Sequence, residues 1–89
     1  MLLSMLEPGD SGEIVDILGS GEIRQRLLDI GFLPGRIVSV IRYAPLGDPI
    51  EVEVMGTRVS LRLNEAALIK IRGGKGGGRR KRRRWLRFI

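Results

Sequence analysis

The chain of 89 residues is long enough for one small domain, and it contains neither cysteine nor histidine. Disulfides, zinc fingers, thiol redox chemistry and histidine-based catalysis are therefore excluded. The net charge of +6 is unevenly distributed, because residues 72–89 hold nine cations and no acid, whereas residues 1–71 hold seven cations and ten acids. A mildly acidic domain thus carries a strongly basic tail, and only the tail favours a nucleic-acid or acidic-surface partner.

The first elements are a short apolar segment and a strand. Residues 1–6 are too few for a signal peptide or a membrane span, and we expect their apolar side chains, Met5 included, to pack as a short lid. Pro8, Gly9 and Asp10 predict a turn. Residues 12–18 alternate loosely between apolar and polar, which predicts a first strand with Ile14 and Leu18 facing inward.

The clearest local signal is a switch from a helical to a strand pattern. Ile23, Leu27 and Ile30 recur at i, i+4 and i+7, which places them on one face of a predicted helix. Gly31 follows where a helix needs a left-handed residue to end. Phe32 and Leu27 then occupy the two positions that touch in a Schellman ending, so the pattern predicts an apolar contact between them.

Turn and loop residues separate the helix from its neighbours. Ser20 is the predicted N-cap. After the helix, Pro34 and Gly35 predict a tight turn, because proline fixes φ at its first corner and glycine supplies a positive φ at the second. Residues 36–43 predict a second strand, and residues 44–49 a loop with two prolines.

A hairpin is predicted over residues 50–63. If Met55 and Gly56 form its two-residue turn, the numbers of paired residues sum to 111. One face is then almost wholly apolar, and the other places glutamates opposite arginines. The opposed pairs on the apolar face are Val54–Thr57, Val52–Val59 and Ile50–Leu61, and on the polar face Arg58 meets Glu53 directly and Glu51 diagonally.

The fold class follows from the number and length of these elements. One helical turn at residues 64–67 and a last strand at 68–71 complete the set. So few short strands cannot form an ordinary sandwich, whereas a small barrel hides both sheet faces and the edges. We therefore predict a mainly β fold, a small SH3-like, partly open barrel with one α-helix inserted after the first strand. The domain spans residues 1–72, and residues 73–89 are expected to be a glycine-rich linker and a disordered basic tail.

Four motifs occur in a fixed order along the chain. They are Leu-Glu-Pro-Gly-Asp-Ser-Gly-Glu-Ile at 6–14, Arg-Leu-Leu-Asp-Ile-Gly-Phe-Leu-Pro-Gly at 26–35, Ala-Pro-Leu-Gly-Asp-Pro-Ile at 44–50 and Gly-Thr-Arg-Val-Ser-Leu-Arg at 56–62. Together they resemble FeoA, the small cytosolic partner of the bacterial ferrous iron transporter FeoB. The resemblance implies an SH3-like fold and a non-catalytic accessory role in ferrous iron uptake, by contact with the cytosolic side of FeoB. It also implies a cytoplasmic protein, and binding of the basic tail to an anionic leaflet would place it at the inner face of the membrane. Residues 72–89 depart from the family, whose ordinary members stop soon after the last strand.

Neither a catalytic site nor a metal or cofactor site is predicted. No nucleophile is paired with a base, so we do not expect an enzyme. Asp10, Glu13 and Asp16 are candidate iron ligands, but iron(II) sites usually combine imidazole with carboxylate and the chain has no histidine, so we interpret these acids as solvated strand and turn residues. The Gly-Ser-Gly at 19–21 lacks the lysine and the spacing of a phosphate loop, and it is interpreted as the start of the helix.

Two rigid Pro/Gly loops are the predicted partner surface, because such loops lose little entropy on docking. A purely structural role is an equal alternative for the two leucines. The candidate partner-binding residues are Leu33, Pro34, Gly35, Leu46 and Gly47.

The tail mixes cations with apolar residues. Beside an anionic leaflet each cation contributes about 1 kcal/mol, and tryptophan suits the membrane interface. Nucleic-acid phosphates would use the same charges, with Trp85 stacking on bases, and a small-barrel nucleic-acid-binding protein is the alternative function. A solvated tail without a selected partner is the third possibility, and self-association is left open. The candidate electrostatic residues are Arg79, Arg80, Lys81, Arg82, Arg83, Arg84 and Trp85.

Overall fold

A computed structural model describes residues 1–73. Five antiparallel strands form one curved sheet in the order β4-β3-β2-β1-β5, and the sheet is not closed between its two outer strands in the described part of the chain. This is the predicted SH3-like, partly open barrel. After a 3-10 turn at Leu3–Met5, the elements are β1 (Ser11–Ile17), α1 (Gly21–Ile30), β2 (Ile37–Tyr43), β3 (Ile50–Val54), β4 (Thr57–Leu61), α2 (Leu63–Ala66) and β5 (Ile69–Arg72).

The strand β1 contains a bulge that corrects one prediction. Its pairing with β5 shifts register between Ile14 and Asp16. The extra residue changes which side chains face inward, because alternation along a strand resumes one residue later. Ile14 and Ile17 are therefore buried, and Leu18, which was predicted to face inward, is 41% exposed.

The helix α1 ends as the sequence predicts. The Gly31 N–H donates to the Leu28 carbonyl at 3.1 Å, and the Phe32 N–H donates to the Leu27 carbonyl at 3.1 Å, which are the two bonds of a Schellman ending. Leu27 and Phe32 are fully buried. Ile30 was wrongly placed on the buried face, since it is 36% exposed and Leu28 packs against the core instead.

The β3–β4 hairpin has the predicted register. Every pair from Ile50↔Leu61 to Val54↔Thr57 sums to 111. Met55 and Gly56 both have positive φ, 56° and 75°, as a two-residue type I′ turn requires. Glu51 accepts from Arg42 of β2 at 2.7 Å, and it lies 3.8 Å from the diagonal partner Arg58.

The core lies inside the curved sheet. The inner faces of all five strands contribute to it, and Leu27 and Phe32 close it from the helix side. Of the predicted N-terminal lid, Leu3 and Leu6 are fully buried, but Met5 is 55% exposed, because the 3-10 turn directs only one side of this short segment inward. The buried apolar residues are Leu3, Leu6, Ile14, Ile17, Leu27, Phe32, Val38, Val40, Ile50, Val52, Val54, Leu61, Ala66, Ile69 and Ile71.

Candidate partner-binding surfaces

The three candidate iron ligands, Asp10, Glu13 and Asp16, make contacts within the domain. Asp10 is only 8% exposed, so its interpretation as a solvated residue was wrong, and its Oδ2 accepts the Glu7 N–H at 3.0 Å. Asp16 Oδ1 accepts the Ile17 N–H at 2.8 Å, and Glu13 pairs with Arg72 at 3.3 Å. Within residues 1–73, no three Asp or Glu side chains converge as a metal ion would need.

The turn that follows α1 is rigid and partly exposed. The Arg36 N–H donates to the Leu33 carbonyl at 3.1 Å, and Gly35 has a φ of 93°, as its corner position requires. The Gly35 N–H also donates to the Ile14 carbonyl of β1 at 2.8 Å, which ties the turn to the sheet. Leu33 is half-buried, whereas Pro34 and Gly35 are exposed.

The loop between β2 and β3 carries the most exposed apolar side chain of the described residues, Leu46, at 96%. The Gly47 N–H donates to the Ala44 carbonyl at 2.7 Å, and the Ala44 N–H donates to the Pro49 carbonyl at 2.9 Å. Asp48, which precedes a cis Pro49, accepts the Leu63 N–H at 3.0 Å. These bonds hold the loop closed on itself and present Leu46 to solvent.

An open groove of about 490 Å³ runs beside this loop. Tyr43, Pro45 and Pro49 form its apolar wall, and the Arg42–Glu51 ion pair forms its polar side. A tyrosine ring and two prolines offer a preformed apolar surface that loses little entropy when a partner docks. The groove therefore extends the surface around Leu46.

Tyr43 joins the apolar wall of the groove to the N-terminal segment. Its hydroxyl donates to the Leu6 carbonyl, and Leu6 is itself fully buried. Burial raises the pKa of the Tyr43 phenol above its ordinary value, and the nearby carboxylates of Glu7 and Asp10 raise it further. The phenol thus stays protonated and keeps its hydrogen bond at neutral pH.

The five predicted partner-binding residues fall in two separate places. Leu33, Pro34 and Gly35 precede β2, whereas Leu46 and Gly47 follow it. The seven residues of that strand span roughly 20 Å at about 3.3 Å per residue. The two loops therefore lie at opposite ends of β2 and offer two surfaces instead of one.

One group of exposed apolar residues was not singled out from the sequence. Ile37 is 58% exposed and Met55 is 62% exposed. The register Val38↔Val54 brings Ile37, which begins β2, and Met55, which begins the hairpin turn after β3, to the same end of the sheet. The signal was present, because residues that flank inward-facing valines in a strand face outward.

The contact between the two helices is a second feature that the sequence did not predict. Arg26 of α1 forms an ion pair with Glu65 of α2, and Glu65 also accepts the Arg62 N–H at 3.0 Å. Nothing in the local pattern of either segment predicts this pairing, because the two residues are far apart in the chain.

The predicted tail residues Arg79–Arg84 and Trp85 lie outside the described residues, as does most of the predicted linker. Across residues 1–73, no helix combines the length and apolar character that crossing a bilayer requires.

The model of the FeoA domain family matches residues 1–73. The chain belongs to the FeoA family. A relative from Porphyromonas gingivalis, a fusion protein of Fe(2+) transport protein A and the Fe(2+) transporter FeoB, is 42% identical over 71 residues. That match covers 80% of this chain but only 8% of the fusion protein, so the chain corresponds to a small part of that relative.

Solved FeoA structures share the fold. The solution structure of FeoA from Chlorobium tepidum is 42% identical, with a TM-score of 0.75 over 80% of this chain and 68% of that one. The crystal structure of Stenotrophomonas maltophilia FeoA in complex with zinc, described as a prokaryotic SH3 domain protein, is 31% identical. Its TM-score is 0.72 over 80% of this chain and 88% of that one. The SH3-like assignment of this FeoA domain is therefore confirmed.

Proposed function

We propose that this FeoA protein is a non-catalytic accessory protein of ferrous iron uptake, which acts by binding the cytosolic part of a FeoB-type transporter. The observation that carries the proposal is the fusion of a 42% identical FeoA segment to FeoB in one polypeptide. Two domains joined in one chain meet at a high effective concentration. An FeoA domain that is not fused to FeoB would need a binding surface to associate with the same partner.

The surface around Leu46 is the proposed site of contact. Its leucine is almost fully exposed, its loop is held by internal hydrogen bonds, and the groove beside it is lined by Tyr43, Pro45 and Pro49. A preorganised loop with one apolar anchor beside a concave apolar wall has the features of an interface centre. The turn at Leu33 is a second contact candidate at the other end of β2.

Binding of the soluble portion of FeoB to the full-length chain tests the proposal. Leu46→Asp should weaken binding about tenfold or more, a loss of at least ~1.4 kcal/mol, because an anchor residue would carry a charge into an apolar contact. Its fold should be unaffected, because substitutions of exposed residues usually change stability by no more than about 0.5 kcal/mol. Leu33→Asp tests the second candidate separately, since the two residues lie on different surfaces.

Leu18→Asp is the matched control, because Leu18 is also an exposed leucine but follows β1, away from the Leu46 loop. Binding should be retained in this variant. Full binding by both Leu46→Asp and Leu33→Asp would refute the proposed surfaces and leave the function in place. Failure of the unaltered chain to bind FeoB would refute the function itself.

A further inference from the structure

One end of the barrel presents apolar side chains to solvent. We define this apolar end by Ile30, Pro34, Ile37 and Met55, all of which are exposed. The register Val38↔Val54 brings Ile37 and Met55 to the same end of the sheet. The end of α1 lies there too, since a Cβ on Gly31 would be 4.0 Å from a Val54 methyl group. Groups of exposed apolar residues mark places where another segment binds.

The chain leaves the described domain on the same side. Arg72, the last residue of β5, pairs with Glu13 of β1, and Glu13 pairs with Ile37 of β2. Directly paired residues point to the same face of a sheet, so Arg72 and Ile37 share the outer face. Two strand spacings separate them, about 10 Å, and Met55 is one spacing further, at about 15 Å.

The remaining chain is long enough to return to the apolar end. It finishes with Trp-Leu-Arg-Phe-Ile at residues 85–89. The thirteen residues from Arg72 to Trp85 span at most about 45 Å, several times the separation to be bridged. The distance therefore poses no obstacle to docking in the same molecule.

The net charges of the tail and of the domain are opposite. Six consecutive cations, residues 79–84, come directly before Trp85, and residues 1–71 have a net charge of −3. On the outer face, Glu13 pairs with Ile37, and Glu53 pairs with Ser39, two positions from Ile37 along β2. Glu13 is already paired with Arg72 at 3.3 Å, and Arg36 and Arg58 also lie nearby, so the attraction on the tail cations comes from Glu53 and from the net charge of the domain as a whole.

We propose that residues 85–89 of this chain dock on its own apolar end, with Trp85 and Phe88 covering Ile37 and Met55. Tryptophan and phenylalanine bury the largest apolar area of any side chains, and here they would cover apolar groups that are otherwise in contact with water. The docked form is intramolecular, so its population does not depend on protein concentration. It also covers the turn at Pro34 and so competes with any partner that binds there. The proposal does not depend on the binding of FeoB.

Trp85 is the only tryptophan of the chain, so its fluorescence in the full-length protein reports the docking directly. The emission should lie at shorter wavelength than that of the urea-unfolded chain, and acrylamide should quench it severalfold less than it quenches a peptide of residues 79–89. Both effects should be the same at low and high protein concentration.

The full-length variants Ile37→Asp and Met55→Asp should return the quenching towards the value of the peptide. Both positions are exposed, and aspartate tolerates the positive φ of Met55, so the fold should be retained. Leu46→Asp, which alters an exposed apolar residue at the other end of β2, should leave the quenching of Trp85 unchanged. Circular dichroism checks the fold of each variant.

Three results would overturn the proposal. Quenching equal to that of the free peptide would show that Trp85 is undocked. Protection that increases with protein concentration would identify a second copy as the occupant. Protection that arises only when vesicles containing phosphatidylserine are added, and not with neutral vesicles, would identify a lipid surface.

Discussion

Replacing Gly31 with alanine should destabilise the domain through backbone strain alone. Gly31 has a φ of 129° and a ψ of 6°, outside the left-handed region that L-residues occasionally adopt. The added Cβ would lie 4.0 Å from the nearest Val54 methyl group, which is an ordinary contact, so no steric clash contributes. Strain at such a position costs about 1–3 kcal/mol.

The strain cannot relax by a small rotation. The N–H groups of Gly31 and Phe32 both donate to carbonyls in the last turn of α1, and the Phe32 side chain is fully buried. Rotating φ towards 60° would break these bonds or withdraw the ring from the core. We therefore expect Gly31→Ala to introduce strain of about 2–3 kcal/mol, in the upper part of that range.

Gly56→Ala is the matched control. Gly56 has a φ of 75°, and nothing lies within 4 Å of an added Cβ. An L-residue in this region costs about 1–2 kcal/mol, and part of that cost is offset by the lower entropy of the unfolded chain. The same offset applies to Gly31→Ala, so Gly56→Ala should cost about 1 kcal/mol less than Gly31→Ala.

Thermal and urea unfolding, followed by far-UV circular dichroism, measure the difference. In a domain of this size 1 kcal/mol corresponds to about 4–8 °C in Tm, so Gly31→Ala should lower Tm by about 4–8 °C more than Gly56→Ala does. Equal losses in the two variants would refute the reasoning that the Schellman ending holds Gly31 in a strained conformation.

Two further predictions concern polar contacts. Burial and the carboxylates of Glu7 and Asp10 raise the pKa of Tyr43 in the folded chain, so its phenol should titrate above 10.0 in an absorbance titration. The contribution of Tyr43 to the free energy of unfolding should be fully present below pH 10.0 and be lost as the pH rises through the folded pKa. A titration midpoint at or below 10.0 contradicts this prediction. Glu65→Ala removes the acceptor for the Arg62 N–H and should cost about 1–2 kcal/mol in urea unfolding. Glu65→Gln keeps an acceptor and should cost about 0.5 kcal/mol or less, since it loses only a partly exposed ion pair; equal costs would show that the hydrogen bond contributes little.

The hairpin and the helix ending could be predicted in detail because each depends on neighbouring residues. A two-residue turn at Met55 and Gly56 leaves a single register that buries the apolar face of both strands. The ending at Gly31 likewise needs only one residue with positive φ and two apolar positions around it. Local conformational preferences decide both features, so the amino-acid order is sufficient.

Predictions of which side chains are buried were less accurate where the backbone departs from ideal geometry. Periodicity predicted that the Leu18 side chain is buried, but the bulge in β1 shifts the alternation so that Ile17 is buried instead. The helical period placed Ile30 inside, but the helix ends there and the residue lies at the rim of the core. The turn pattern predicted that Asp10 is exposed to solvent, yet its side chain is almost fully buried.

The amino-acid order by itself determined the strands, the helix and their turns, because these depend on interactions within a few residues. Tertiary structure alone decided that Leu46 is exposed, that Ile37 and Met55 lie at the same end of the sheet, and that Arg26 reaches Glu65. Such placements arise from how the sheet curves around a shared core, and that curvature depends on the packing of all the strands together.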